Sequence, residues 1–198
     1  MVGALGIRSR NNKDFNLKYP SLVQALAAMP DETVIDGEIV ALDAQGRPSF
    51  SALQNHGPGG VLLVYYAFDL MILEGESVME EPLAVRRGLL QSLVLSRLDE
   101  PIRESCELDG ALPDLIQSVK RHDLSREGLV AKRRDSWYEP GQRSGAWMKM
   151  RVNRGQPFVT PSYSSTTRAA DFSTPVAPQR VYSFLTRAVV QAVPWAGG

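Results

Sequence analysis

Apolar and charged residues alternate along residues 127–132 and again along 147–151, on either side of a polar connection holding Pro140, Gly141 and Gly145. Alternation with period two predicts two half-buried strands joined by a long hairpin connection. One face of that hairpin is expected to be buried, the other to carry Glu127 beside Lys132, Lys149 and Arg151. Upstream, residues 33–42 form a branched, apolar run interrupted by Asp36, Gly37 and Glu38, and 61–73 form the most apolar run of all; both predict strands, the second central. Leu22, Val23, Leu26 and Met29 recur at helical spacing between Pro20 and Pro30, which predicts a short helix over 21–29. Leu83, Arg86, Arg87, Leu90, Leu93 and Val94 do the same after Pro82 and predict a helix over 83–98, and a further helix is expected over 112–121. The opening residues read as a short strand running into a polar turn, 43–48 as a hairpin turn and 49–54 as the start of the returning strand. Residues 164–178 are rich in Ser, Thr, Ala and Pro, which predicts a poorly ordered tail with a short helix between Val181 and Val193. The expected fold class is α+β, mainly antiparallel sheets flanked by helices, with one domain over 1–155 and a degenerate tail over 156–198.

Composition narrows this little. The 198 residues are 43% hydrophobic and 22% charged, ordinary for a globular chain, and the 22 cations balance 22 anions. A net charge of zero gives no global sign of nucleic-acid binding, so such binding needs a local patch. Between Lys120 and Arg154 ten cations, Arg133, Arg134 and Arg143 among them, meet only Asp123, Glu127, Asp135 and Glu139. Cys106 is the single cysteine, which excludes an internal disulfide and reads as a buried thiol in a reducing compartment. The longest apolar run is far short of the roughly 20 residues that span a bilayer, so the expectation is a soluble, cytoplasmic protein.

The candidate chemistry is that of phosphate. Carboxylates hold divalent metals through hard oxygens, while Lys and Arg neutralise phosphate oxygens. The plainer reading of the hairpin is a solvated face. Acidic groups inside a strand are costly unless paired or ligating, yet Asp36-Gly37-Glu38 also reads as a β-bulge with Glu38 turned to water. Pattern alone makes Phe68 a core residue, His56 an idle loop residue and His122 a helix-end residue without chemistry.

Read as motifs, these segments resemble the covalent nucleotidyltransferases, the superfamily of ATP-dependent DNA ligases and messenger RNA capping enzymes. Ser9-Arg10-Asn11 resembles motif Ia, Asp36-Gly37-Glu38 motif III, and Tyr66-Ala67-Phe68-Asp69-Leu70 motif IIIa. Residues 127–132 resemble motif IV and 147–151 motif V, and the intervening segment is most similar to bacterial ligases of the end-joining type. Five such segments in order are far more specific than one. The resemblance implies an adenylation domain around a nucleotide cleft, with ATP (AMP) and Mg2+ as cofactors. It implies that Phe68 stacks on the purine, that Glu38 and Glu127 hold the metal, and that Lys149 and Lys132 compensate the α-phosphate. Arg10 would lie near the nucleotide or nick, and Arg151 stands where many relatives carry a second lysine, keeping the charge but changing its geometry. Nicked or broken duplex DNA is the implied partner, with other end-joining proteins, or a chain supplying a missing N-terminal part.

In that family a lysine of a LysXaaAspGly motif, upstream of motif Ia, attacks the α-phosphate. These 198 residues contain no such motif, nor the alternating pattern of the oligonucleotide-binding barrel that follows in relatives. The expectation is therefore a partial adenylation domain, beginning partway through its fold, with an exposed sheet edge and unable by itself to adenylate itself. Two other readings stay open: a non-catalytic nucleic-acid-binding remnant, and an RNA ligase or capping-type nucleotidyltransferase.

Overall fold

The computed structural model describes residues 4–9, 11–55, 61–108, 114, 117, 129–142 and 144–150, and the backbone course of 179–183 and 187–193. Strand β1 (Ala4–Ser9) leads through a turn to helix α1 (Pro20–Ala25), then to β2 (Val34–Leu42), a short helix α2 (Phe50–Gln54) and the long β3 (Leu62–Leu73). After β4 (Glu76–Ser77) come helix α3 (Leu83–Leu89) and β5 (Ile102–Glu104). The chain continues with β6 (Leu129–Arg133), β7 (Trp147–Met150), β8 (Gln179–Ser183) and β9 (Arg187–Val193).

Among the described residues these strands form two sheets. The larger runs β1-β9-β2-β3-β4, antiparallel throughout, with β5 added parallel to β3; the smaller runs β7-β6-β8, also antiparallel. Mixed α+β architecture is as the sequence predicts, and 61–73 supplies an interior strand of the large sheet.

One face of that sheet makes the main core. Ile35, Ile39 and Ala41 of β2 and Leu63, Tyr65, Ala67 and Leu70 of β3 pack there with Leu22, Leu26 and Met29 from α1 and its following turn. Leu90 and Val94, just beyond α3, complete it. Each fully buried Leu or Ile contributes about 1.5–3 kcal/mol, so this layer holds most of the apolar stabilisation. Gly37 lies where Tyr65 crosses the strand: a Cβ there would fall 2.3 Å from Tyr65 Cζ. Only glycine fits so close an approach.

Several expected elements differ. Residues 49–54 turn into α2, not a returning strand, because Ser49 caps the turn by accepting a hydrogen bond from the Ala52 amide. The helix predicted over 83–98 is regular only to Leu89, then widens into a π turn over Leu90–Val94 and tightens into a 3-10 turn over Leu95–Arg97. The helix expected between Val181 and Val193 is replaced by β8 and β9: Val181, Val189, Val190 and Val193 favour strands, and these two pair into both sheets. Cys106 is exposed, since it lies past the end of β5 and outside the core. Of the helix expected over 112–121, Asp114 and Gln117 are helical and the remainder lies outside the described residues, as do His56 and His122.

Candidate functional site

The second face of the large sheet carries acids beside a smaller apolar cluster. Register pairs Asp36 with Asp69 and Gly37 with Ala67, so β3 spends two residues where β2 spends one, and Phe68 is the extra residue. A bulge of this kind redirects side chains. It switches which face β3 presents, so that Ala67 and Leu70 both reach the main core. Asp36, Glu38, Tyr66 and Asp69 are left together on the opposite face, with Val40, Leu42 and Val64 beyond them. The bulge suggested by the sequence is real, but Glu38 does not turn to water: it is 1% exposed.

The β6–β7 hairpin lies against this acidic face. Lys132 pairs with Trp147 and Val130 with Lys149, so these four residues share one side of the hairpin. Both strands form as the alternation predicts, yet Lys132 is not on an exposed face; it is 1% exposed. Its ammonium sits 3.9 Å from the centroid of the Phe68 ring and 3.6 Å from that of Trp147, and 3.9 Å from Asp69 Oδ2. The two rings meet edge to face, 6.1 Å between centroids. Burying a lysine is tolerable here because a carboxylate and two π faces replace water around the charge. Lys149 is exposed on the same side of the hairpin.

Phe68 itself is 3% exposed, as the pattern alone predicts, but its neighbours are not purely aliphatic. The ring face that could hold a purine is covered by the Lys132 ammonium.

Three residues that sequence reasoning passed over hold the arrangement. Arg86 of α3 is wholly buried and donates from Nε and Nη2 to the two oxygens of Asp69, at 2.7 and 3.0 Å. Its Nη1 donates to the carbonyls of Ser136 (2.9 Å) and Glu81 (2.5 Å). Tyr138 donates its hydroxyl to Asp36 Oδ2 at 2.9 Å and meets Trp147 edge to face at 5.6 Å. Backbone bonds from Leu83 to Ser136, from Ala84 to Arg134 and from Tyr138 to Met79 fasten the hairpin connection to the start of α3. The neighbouring Arg87 donates to the Phe68 carbonyl (3.3 Å) and to Glu104 (2.6 Å), fixing the bulge from behind. A signal for them existed: Asp69 is a charge inside the most apolar run, and Arg86 and Arg87 share the helical stripe of Leu83 and Leu90.

Of the residues singled out in the sequence, the structure thus brings Glu38, Phe68, Lys132 and Lys149 onto facing surfaces of the two sheets. Arg10, Glu127 and Arg151 lie outside the described residues.

Comparison with known proteins decides the family. The family model described as ATP dependent DNA ligase domain matches residues 3–151. The chain belongs to that family. It is 37% identical over 148 residues to the multifunctional non-homologous end joining DNA repair protein LigD of Mycobacterium tuberculosis, covering 74% of this chain and 19% of that protein. Identity is again 37% over 166 residues of the Pseudomonas aeruginosa LigD, and 30% over 145 residues of the prophage-derived ligase-like LigB of Bacillus subtilis. The ligase domain of M. tuberculosis LigD superposes with a TM-score of 0.60 at 36% identity, covering 74% of this chain and 48% of that one. A mycobacterial DNA ligase D solved with ATP and MES superposes with a TM-score of 0.58 at 34% identity, over 75% of this chain and 51% of that one. The chain therefore spans about a fifth of the LigD proteins and about half of the ligase domains it matches.

Proposed function

We propose that this chain forms the nucleotide-binding part of an ATP-dependent DNA ligase acting on nicked or broken duplex DNA in end joining. The observation that carries the reading is the facing of Phe68 and Glu38 on the bulged sheet by Lys132 and Lys149 on the hairpin. Aromatic faces accept a purine, and ammonium groups neutralise phosphate. The donor set fits a nucleotide: Lys132 meets the Phe68 and Trp147 rings between the sheets, Glu38 lies on the same sheet face as Asp69, and Lys149 shares the side of the hairpin that carries Lys132. By the resemblance, Glu38 and Glu127 are the carboxylates that would hold Mg2+, while Asp36 and Asp69 accept from Tyr138 and Arg86. That ion supplies charge neutralisation at the phosphates. Among the described residues no group of three or more His, Cys, Asp or Glu is arranged to hold a metal ion.

Within this scheme Phe68 orients the base, Lys149 and Lys132 draw the α-phosphate, and Arg86 with Asp69 keeps the facing surfaces in place. The 198 residues contain no LysXaaAspGly motif, so no amine is assigned to attack the α-phosphate, and self-adenylation by these residues alone is not expected. Closure of a nick already carrying AMP needs no enzyme lysine and is the step this part can support. Among the described residues no helix is long and apolar enough to cross a membrane.

The test has two arms. Titration calorimetry with ATP and Mg2+ is expected to show saturable binding. Labelled ATP followed by denaturing electrophoresis is expected to leave no labelled band at this chain's mass. Absence of ATP binding refutes the nucleotide reading, and a labelled band refutes the predicted lack of self-adenylation.

A further inference from the structure

The Lys132 ammonium occupies the space over Phe68 that a stacked base would need. It lies 3.9 Å from that ring centroid and 3.6 Å from the Trp147 centroid, with Lys132 and Phe68 both buried and Trp147 partly so. Van der Waals contact between a base and the ring already requires about 3.5 Å, so ammonium and purine exclude one another on that face. Asp69, held by both oxygens to Arg86, is 3.9 Å from the ammonium and helps to fix it there.

Resting on the nucleotide reading above, we propose that Lys132 is a specificity-determining residue that makes base binding conditional on phosphate. In the ligand-free chain its ammonium plugs the base position. A phosphate-bearing ligand offers that ammonium an anion in exchange for the two rings and Asp69, so the side chain swings out and the purine enters. A nucleoside has no anion to offer and must displace the cation uncompensated. A desolvated cation–π contact corresponds to about thirtyfold in an equilibrium constant, which sets the scale of discrimination. No covalent step is involved; the exchange is one of non-covalent partners. Trp147 reports it, because removing a cation from its face alters its emission.

The experiment compares adenosine and ATP binding to the full chain and to Lys132→Met, followed by Trp fluorescence and calorimetry. Methionine keeps the length and apolar stem of the side chain without the charge. The expected result is adenosine binding strengthened about tenfold or more in K132M while ATP binding weakens, so that the preference for ATP collapses. If ATP binds the wild-type chain and adenosine affinity is the same in both, the plug is refuted while the nucleotide reading stands. If neither ligand binds either protein, the nucleotide reading fails and the plug with it. A measurement on the wild-type chain alone covers a variant that does not fold. Inorganic tripolyphosphate is expected to draw Lys132 out and raise adenosine affinity severalfold, and an unchanged affinity overturns the proposal.

Discussion

Arg86→Met removes the only described cation that meets both oxygens of Asp69, together with the donors that reach Ser136 and Glu81. Both side chains of the pair are wholly buried, so the carboxylate is left without water and with Lys132 as its described cationic neighbour, at 3.9 Å. Breaking one partner of a buried pair costs about 3–5 kcal/mol, roughly a fifth or more of the ~5–15 kcal/mol that holds a domain folded. For a chain of this size each kcal/mol moves the melting temperature by about 2–4 °C, so a drop of about 6–20 °C is expected. The decisive version is a double-mutant cycle with Asp69→Leu, read by urea unfolding followed by circular dichroism. Replacing both partners with apolar groups removes the uncompensated charge. The double variant should then be less destabilised than the two single variants summed, by about 1–3 kcal/mol. Effects that add within about 0.5 kcal/mol would refute the pair as the fastening between α3 and the bulged strand.

Three further outcomes follow from the geometry. Tyr138→Phe keeps the ring against Trp147 but removes the donor to Asp36, and should lower stability by about 1.5–3 kcal/mol in urea titration; an unchanged midpoint counts against that bond. Gly37→Ala drives a methyl to within 2.3 Å of Tyr65 and should cost at least ~1–3 kcal/mol, whereas Gly88→Ala, in α3 with open space around it, should gain about 0.5–1 kcal/mol; thermal melts of the two variants should move in opposite directions. Hydrogen bonding from Arg133 lowers the Asp135 carboxyl below 3.8, and the Arg47 backbone amide is the chief cause of the same shift at Asp43. Because both folded values lie below the unfolded one, their contribution to stability is full above about pH 3.8 and is lost as pH falls through the folded values. Carboxyl titration by NMR should show Asp135 returning toward 3.8 in Arg133→Gln.

The strands and helices were legible where side-chain period and burial coincide. Residues 33–42 and 61–73 announced themselves by branched apolar content, and both strands of the 127–151 hairpin by alternation. What alternation could not reveal was the partner of each face. Alternation places Lys132 in water, where a lysine on such a strand usually lies; here a second sheet lies across that face, and Asp69 with two aromatic rings replaces the solvent. Gly37 suggests a bulge in the strand over 33–42, but the extra residue, Phe68, belongs to β3, which only pairing register shows. Of the tail, 164–178 lies outside the described residues, and the helix expected between Val181 and Val193 is replaced by two valine-bearing strands whose pairing depends on edges far away in sequence. Arg86 was visible as part of a helical stripe, yet nothing local distinguishes an arginine that snorkels to solvent from one that meets a carboxylate seventeen residues earlier.

The most direct measurement is ATP affinity by calorimetry for the wild-type chain, Phe68→Ala and Phe68→Leu, with melting curves confirming that each protein is folded. Stacking of a base on an aromatic ring corresponds to about 1–3 kcal/mol, so both variants should lose about 5- to 150-fold in affinity. Wild-type affinity in folded Phe68→Ala and Phe68→Leu would contradict a purine site between the bulged strand and the hairpin.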